Sequence, residues 1–176
     1  LELLGIPYTG SGVLASALGM DKVASKRIFH EAGVPLADWV RFGKGARVSV
    51  SDLPFGLPCV VKPSNEGSSV GVSLVKSAEA LQPAVDEASK YAGTVLVERF
   101  VKGREVNVAI LGDEALGSIE IVPAREFYDY EAKYGAGSGT VYHYPARLPP
   151  EVYARACATG LAAHRALGCD TYSRVD

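Results

Sequence analysis

The clearest chemical pattern in this sequence is a lysine at the end of a short apolar segment, followed by small residues. Lys62 lies near the end of segment 58–63, and loop 64–69 then leads into a second apolar segment, 70–75. An ammonium group there can bind a phosphate, and loop N–H groups can close over it, because small residues let the backbone approach. The loop is not a P-loop, since it lacks Gly-x-x-x-x-Gly-Lys-Ser/Thr and joins two predicted strands. An exposed β-hairpin with a lysine at its base explains the same residues about as well.

Two glutamates, Glu98 and Glu105, lie on either side of a predicted turn at residues 102–103. One carboxylate could accept hydrogen bonds from ribose hydroxyls, while the backbone of residues 99–101 pairs with the edge of a base and Phe100 supplies a flat apolar surface. A solvated β-hairpin is the competing interpretation, and it is the commoner one for isolated glutamates.

The segment 127–134 combines aromatic residues with a lysine and is followed by a glycine-rich stretch, 135–139. Such a segment is suited to cover a site and to exclude water from a reactive intermediate. A flexible surface loop is the alternative, which so many aromatic side chains disfavour.

Arg174 and Asp176 lie two residues apart in a predicted strand, so both point to the same face. The carboxylate could hold Mg²⁺ bridging phosphates, and the guanidinium could stabilise a developing oxyanion. An ordinary ion pair is the simpler explanation of these two residues taken alone.

The elements that position these residues follow from apolar periodicity and from turn residues. Strands are predicted at 1–7, 58–63, 70–75, 94–101, 104–111, 115–122 and 171–176, and a long loop at 124–145. Helices are predicted at 21–32, 77–91 and 149–167, with Asp21 as the first N-cap and Gly33 after that helix. Strands interleaved with helices indicate an α+β or α/β fold.

Composition excludes several classes of partner. The 18 basic and 20 acidic residues give a net charge of −2 without a basic run, so we expect no nucleic acid partner. No apolar stretch approaches the roughly 20 residues that span a bilayer, so we expect no membrane span and no signal peptide. Three cysteines without metal-ligand spacing indicate a reducing, cytoplasmic environment.

Together these motifs resemble the D-alanine–D-alanine ligase family, over nearly the whole chain. The matching segments are 3–11, 20–22, 61–63, 66–71, 103–105 and 127–134. Two are highly specific: the flap, which is Glu-Gly-Ser-Ser-Val-Gly at 66–71, and Tyr-Asp-Tyr-Glu-Ala-Lys-Tyr at 128–134.

The resemblance implies an ATP-grasp fold, in which two α+β subdomains hold ATP between them. Residues 1–20 would end an N-terminal substrate domain, and 21–176 would form the ATP-grasp domain, divided into a central subdomain (21–102) and the start of a C-terminal one (103–176). The implied reaction uses ATP to phosphorylate one D-alanine, whose acylphosphate is attacked by the amine of a second. Mg²⁺ or Mn²⁺, a role in peptidoglycan synthesis, a cytoplasmic location and a homodimer in the full-length protein are also implied.

The resemblance further implies a role for particular residues. Lys22 and Lys62 would contact the ATP phosphates, Lys133 would reach the γ-phosphate, and Ser68 and Tyr134 would link the flap to segment 127–134. Arg174 would stabilise the tetrahedral intermediate, and Asp176 would be the first Mg²⁺ ligand. Tyr134 favours a dipeptide product over D-alanyl-D-lactate. The remaining nucleotide contacts would be Glu66, Gly67, Ser69, Glu98, Arg99, Phe100, Val101, Glu105 and Phe127.

The sequence also departs from the family pattern. Most of the N-terminal domain is not found before Leu1, and the Glu and Asn that complete the Mg²⁺ site do not follow Asp176. We therefore expect a fragment that is inactive by itself. The alternatives are another ATP-grasp carboxylate–amine ligase, an ATP-binding module without catalysis, and a structural fragment that binds nothing.

Overall fold

The computed structural model describes residues 1–123 and 139–176, which form helices and antiparallel sheets. The helices are α1 (Val13–Met20), α2 (Lys22–Glu31), α3 (Ala78–Ala88) and α4 (Pro150–Ala166), with 3₁₀ turns at Glu2–Leu4 and Val50–Asp52. The strands are β1 (Trp39–Gly43), β2 (Cys59–Pro63), β3 (Ser73–Val75), β4 (Thr94–Arg99), β5 (Glu105–Leu111), β6 (Glu114–Val122), β7 (Val141–His143) and β8 (Tyr172–Val175).

The first sheet has the strand order β1-β4-β2-β3, with every neighbouring pair antiparallel. One of its faces packs against α3 and forms an apolar core in which Val61, Val97 and Leu81 have no exposed surface. Because side chains alternate along a strand, the other face carries the residues between these, including Lys62 and Glu98. The sheet therefore has one structural face and one face available for polar groups.

The second sheet has the order β7-β6-β5-β8, again antiparallel throughout. Helix α4 packs against its central strands at very short range: a Cβ added at Gly160 would lie 2.8 Å from Cβ of Val108. Burial alternates along β5 as predicted, with Val108 and Ile110 buried. This packing fixes β5 and β8, the strands that carry the predicted polar residues of this sheet.

The predicted beginning and end of helix α2 are confirmed. The Asp21 side chain accepts hydrogen bonds from the N–H groups of Val23 (2.9 Å) and Ala24 (3.1 Å), which satisfies two of the helix's unpaired donors. Gly33 has φ 70° after the last turn, the left-handed conformation that ends many helices.

Other sequence-based predictions were wrong or incomplete. Residues 1–7 contain a 3₁₀ turn and no strand, and Leu1, Leu3 and Leu4 are largely exposed, so the apolar run does not indicate a buried strand here. Helix α1 and strand β1 were not predicted, and β7 lies inside the predicted loop 124–145. The hairpin interpretation of Glu98 and Glu105 was also wrong, because β4 and β5 belong to different sheets.

In the described part of the chain, no helix combines the length and apolar character needed to cross a bilayer.

Candidate functional site

A nearly buried glutamate lies between two lysines on the polar face of the first sheet. Lys26 pairs with Oε1 of Glu98, and Lys62 pairs with Oε2. The Glu98 side chain is 10% exposed, and those of Lys26 and Lys62 are 13% and 23% exposed. Charges with so little exposure are weakly screened by salt, so they hold one another in defined positions.

Strand register explains why Lys62 and Glu98 meet. In the antiparallel pair of β2 and β4, Val60 lies opposite Glu98 and Lys62 lies opposite Leu96. Residues that face each other across a ladder point to the same side of the sheet, so Lys62 and Glu98 are diagonal neighbours on one face. A shift of one of these strands by one residue would turn its charged side chain, Lys62 or Glu98, towards the apolar core.

Lys22, the first residue of α2, brings another ammonium group to this face. Its backbone N–H donates to the carbonyl of Ser64 at 2.9 Å, and its Nζ donates to the carbonyl of Glu66 in the flap. Burial, and after it the positive charge of Lys62, lower the pKa of Lys22 below its usual value. A bound anion would relieve this repulsion, so the site favours a negatively charged ligand.

The same charges act on Glu98 in the opposite direction. Burial is the largest single influence and would raise the pKa of its carboxyl, but Lys62 and Lys26 outweigh burial and the pKa is lowered. Glu98 is therefore ionised at neutral pH. Three ammonium groups around one carboxylate give the Lys22–Lys26–Lys62–Glu98 cluster an excess of positive charge; Glu66 and Asp21 also attract Lys22, but more weakly than Glu98 does.

The flap has an unusual backbone conformation. Ser68 (φ 51°) and Ser69 (φ 61°) lie in the left-handed region, which costs on the order of 1–3 kcal/mol for each non-glycine residue and clusters at functional sites. Gly71 has φ 66°, and a Cβ there would lie 2.8 Å from the Tyr91 ring and 2.9 Å from Cγ of Pro63. Glycine is thus required at position 71 by both conformation and space.

Where the chain passes from the first sheet to the second, two backbone N–H groups donate to carbonyls of the protein itself. The N–H of Arg99 donates to the carbonyl of Asp38 at 2.9 Å, and that of Phe100 donates to the carbonyl of Pro58 at 3.1 Å. Of the three residues predicted to face a base, Val101 is therefore the one whose N–H meets no backbone acceptor among residues 1–123 and 139–176. Glu105 is exposed at the start of β5.

The end of β8 forms a second polar group. Asp176 Oδ1 lies 3.6 Å from Nε of Arg174 and accepts a hydrogen bond from Nδ2 of Asn107 at 2.7 Å. The predicted proximity of Arg174 and Asp176 is confirmed, although both side chains are more than two-thirds exposed. Among the described residues, no group of three or more His, Cys, Asp and Glu side chains is arranged to hold a metal.

Comparison with known families shows which family the chain belongs to. A family profile described as "D-ala D-ala ligase C-terminus" matches residues 28–176. The chain belongs to the D-alanine–D-alanine ligase family.

Individual relatives support this membership. The D-alanine–D-alanine ligase of Anaeromyxobacter sp. (strain Fw109-5) is 57% identical over 178 residues, which cover 100% of this chain and 58% of that protein. The corresponding ligase of Geobacter sulfurreducens is 56% identical over 176 residues, again 100% of this chain and 55% of the relative. The chain therefore spans little more than half the length of these curated relatives.

Solved structures of D-alanine–D-alanine ligases also resemble this chain. The crystal structure of D-alanine–D-alanine ligase from Bacillus anthracis matches with a TM-score of 0.86 and 38% identity, covering 100% of this chain and 58% of that one. A structure of the Bacillus anthracis ligase complexed with ATP matches with a TM-score of 0.84 and 33% identity, covering 100% and 56%. The fold is thus the ATP-grasp fold of the D-alanine–D-alanine ligases.

The structure places some of the predicted ligase residues together and leaves others aside. Lys22, Lys62, Glu98 and the flap meet on the polar face of the first sheet, whereas Arg174 and Asp176 meet on the second. Phe127, Lys133 and Tyr134 lie outside the described residues.

Sequence reasoning missed two residues that the structure brings to these sites. Lys26 lies four residues after Lys22, a helical spacing that puts both on one side of α2 and could have indicated it. Asn107 lies two residues after Glu105 on β5, where strand alternation points both to the same face.

Proposed function

We propose that this chain forms the ATP-binding part of an enzyme that joins two D-alanines into D-alanyl-D-alanine for peptidoglycan precursors. The observation that carries the proposal is the Lys22–Lys26–Lys62–Glu98 cluster next to the flap, in a chain of this family. Excess positive charge on a sheet face, beside a strained small-residue loop, suits the binding of polyphosphate.

Nucleotide binding is assigned to the cluster and to the connection between the sheets. Lys22 and Lys62 bind phosphate oxygens, and the flap residues Glu66, Gly67, Ser68 and Ser69 close over them. The adenine edge pairs with the backbone at Val101, whose N–H donates to no backbone carbonyl among residues 1–123 and 139–176. Phe100 and Phe127 contact the base, and Glu105 accepts from the ribose hydroxyls.

The chemistry has two steps. A carboxylate oxygen of the first D-alanine attacks the γ-phosphorus, the bond to the β–γ bridging oxygen breaks, and ADP leaves with that electron pair. The amine of the second D-alanine then attacks the acyl carbon, inorganic phosphate leaves, and the amine loses a proton. Arg174 stabilises the oxyanion formed in the second step, and Lys133 holds the transferred phosphoryl group.

Mg²⁺ fits the donor set at the end of β8. Mg²⁺ at phosphate sites is commonly held by one or two carboxylates together with phosphate oxygens and water. Asp176 supplies one exposed carboxylate, oriented by Asn107. When bound, Mg²⁺ or Mn²⁺ would neutralise charge on the ATP phosphates.

The domain division and the setting are part of the same proposal. The change of sheet between β4 and β5 supports a boundary near residues 102–103 between a central and a C-terminal subdomain, with residues 1–20 ending the substrate domain. We propose the cytoplasm as the location, because ATP is available there and the three cysteines are free thiols. A homodimer of the full protein stays a prediction, to be checked by light scattering.

The test uses the full gene product, meaning this chain with any sequence that flanks it in its gene. ATP-dependent phosphate release is measured with D-alanine, with L-alanine, and with D-alanine plus D-lactate. We expect release with D-alanine and none with L-alanine, the dipeptide and no D-alanyl-D-lactate as product when D-lactate is added, and loss of release in Lys133→Ala. Release with a different acceptor would show that the assignment of the ATP site is correct and that the assignment of the substrate is wrong. ATP binding without release under any acceptor would favour a binding module.

A further inference from the structure

Lys26 is the member of the cluster that has no assigned role in the proposed function. Its ammonium lies against Oε1 of Glu98, on the opposite oxygen from Lys62. Of the two lysines that pair with this carboxylate, Lys26 is the less exposed, at 13% against 23% for Lys62. It is therefore the more deeply buried of the two, on helix α2.

A carboxylate as buried as that of Glu98 needs a permanent cationic partner. If Lys62 turns towards a phosphate, its bond to Oε2 weakens, and an unpaired buried charge would oppose the movement. With Lys26 on Oε1, the Glu98 carboxylate would keep one cationic partner if Lys62 moved away. An ammonium group is compact and can exchange one oxygen for another, so Lys62 is suited to this movement.

We propose that Lys26 is a positioning residue for nucleotide binding: it holds the Glu98 carboxylate so that Lys62 can engage the phosphates of ATP. The inference rests on the proposed function and deepens it, since Lys26 acts through Glu98 and Lys62 and does not contact the nucleotide itself. A purely structural Lys26 would stabilise the fold without setting the affinity for ATP.

The first experiment compares Lys26→Met with Lys26→Arg in the full gene product. The Met variant removes the charge and keeps much of the side-chain length, whereas the Arg variant keeps the charge. Binding of the non-hydrolysable analogue AMP-PNP is measured by calorimetry, and the KM for ATP, the KM for D-alanine and kcat are measured by phosphate release. Lys90→Met is the matched control, because Lys90 pairs with Glu87 on an exposed surface.

We expect Lys26→Met to weaken AMP-PNP binding and raise the KM for ATP by about tenfold, as for loss of one partner in a desolvated charge pair. The KM for D-alanine should change by less than about twofold, and Lys26→Arg should restore most of the affinity. Lys90→Met should leave all of these constants unchanged. Thermal unfolding of each variant is recorded to recognise a Lys26→Met protein that fails to fold. In that case Lys26→Arg and Lys26→Gln are compared instead, and they decide whether the charge of Lys26 sets the affinity for ATP.

A double-mutant cycle tests the route through Glu98. If Lys26 acts by holding this carboxylate, Lys26→Met should cost much less AMP-PNP affinity in a Glu98→Gln background than in the wild type. Equal losses in both backgrounds would overturn the proposal, and so would a lower unfolding temperature with unchanged AMP-PNP affinity.

Failure of the proposed function has a different signature. A wild-type protein that binds AMP-PNP but ligates no D-alanine refutes the proposed reaction, while the AMP-PNP measurements still decide the role of Lys26. A wild-type protein that does not bind AMP-PNP refutes both.

Discussion

Two glutamates on different sheets, Glu98 and Glu120, are each nearly buried between two cations, yet the two clusters differ in kind. Glu98 is held by Lys26 and Lys62 on the first sheet, with its side chain 10% exposed. Glu120, on β6 of the second sheet, is 4% exposed and faces Arg147 at 2.8 Å and Arg104 at 3.7 Å.

The type of cation differs between the proposed binding site and the Glu120 cluster, which connects two segments of the chain. Arg147 donates to the Glu120 carboxylate through both Nε and its backbone N–H, so it fixes the chain after β7 to β6. A guanidinium with several directed donors suits such a fixed contact, whereas a lysine ammonium can move to a ligand. The first cluster also has Lys22 beside it, whose pKa is lowered by burial and, after it, by the positive charge of Lys62. The burial of a glutamate therefore does not distinguish the two clusters; the three lysines around Glu98 do.

The largest effect is expected for Lys62→Met, the change that removes a cation from the Glu98 cluster and from the proposed phosphate site at once. Loss of a desolvated charge contact to phosphate, with Glu98 left short of a partner, should lower kcat/KM for ATP by about 100-fold or more. The measurement is steady-state phosphate release by the full gene product, with exposed Lys44→Met as the control. A decrease of less than about threefold would contradict the assignment of Lys62 to the phosphates.

The next effect tests the flap beside that cluster. In Gly71→Ala, a methyl group meets the Tyr91 ring and Pro63, and the positive φ is strained, so the flap is displaced. We expect the KM for ATP to rise about tenfold, because the phosphates lose their correctly placed backbone donors. Gly93→Ala is the matched control, since a Cβ there meets nothing within 4 Å. Equal effects of the two substitutions would show that the flap geometry is unimportant for binding.

A smaller pair of effects compares the two glutamates directly. Glu98→Gln should weaken AMP-PNP binding, because Lys26 and Lys62 lose the charge that orders them. Glu120→Gln should lower the unfolding temperature by several degrees and leave AMP-PNP affinity within about twofold, because its arginines hold the fold and not the nucleotide. Calorimetric binding and thermal unfolding of both variants provide the check. Loss of nucleotide affinity in Glu120→Gln alone would reverse the interpretation of the two clusters.

The sequence predicted some parts of this comparison and missed others for physical reasons. Lys62 and the flap carry a local signal, because strand, lysine and small-residue loop are contiguous. Glu98 was predicted from its place near the end of a strand, just before a turn. The helical spacing from Lys22 places Lys26 on the same side of α2, but it does not reveal the contact of Lys26 with Glu98, which lies on a strand distant in sequence.

Strand β1 and Glu120 show the same limit. β1 has the short sequence Trp-Val-Arg-Phe-Gly, whose strand conformation depends on pairing with β4, so register and tertiary contact decide it. Glu120 lies in a correctly predicted strand, but its burial follows from Arg147, which returns to β6 after β7. Alternation along a strand predicts which face a residue occupies, and not what covers that face.

The smallest expected effect is a difference in the pH dependence of stability. Both carboxyl pKa values are lowered, so each ion pair stabilises the fold above the usual carboxyl pKa and loses this stabilisation as pH falls through the lowered folded-state value. The Arg147 hydrogen bond is the largest influence on the Glu120 pKa and lowers it, whereas burial is the largest influence on Glu98 and opposes the lowering. We therefore expect the stability lost in Glu120→Gln to shrink as pH falls below about 4, and that of Glu98→Gln to shrink less. Urea unfolding of both variants and the wild type at neutral and acidic pH measures this. A stability loss in Glu120→Gln that does not change with pH would show that packing, and not charge, holds Glu120 in place.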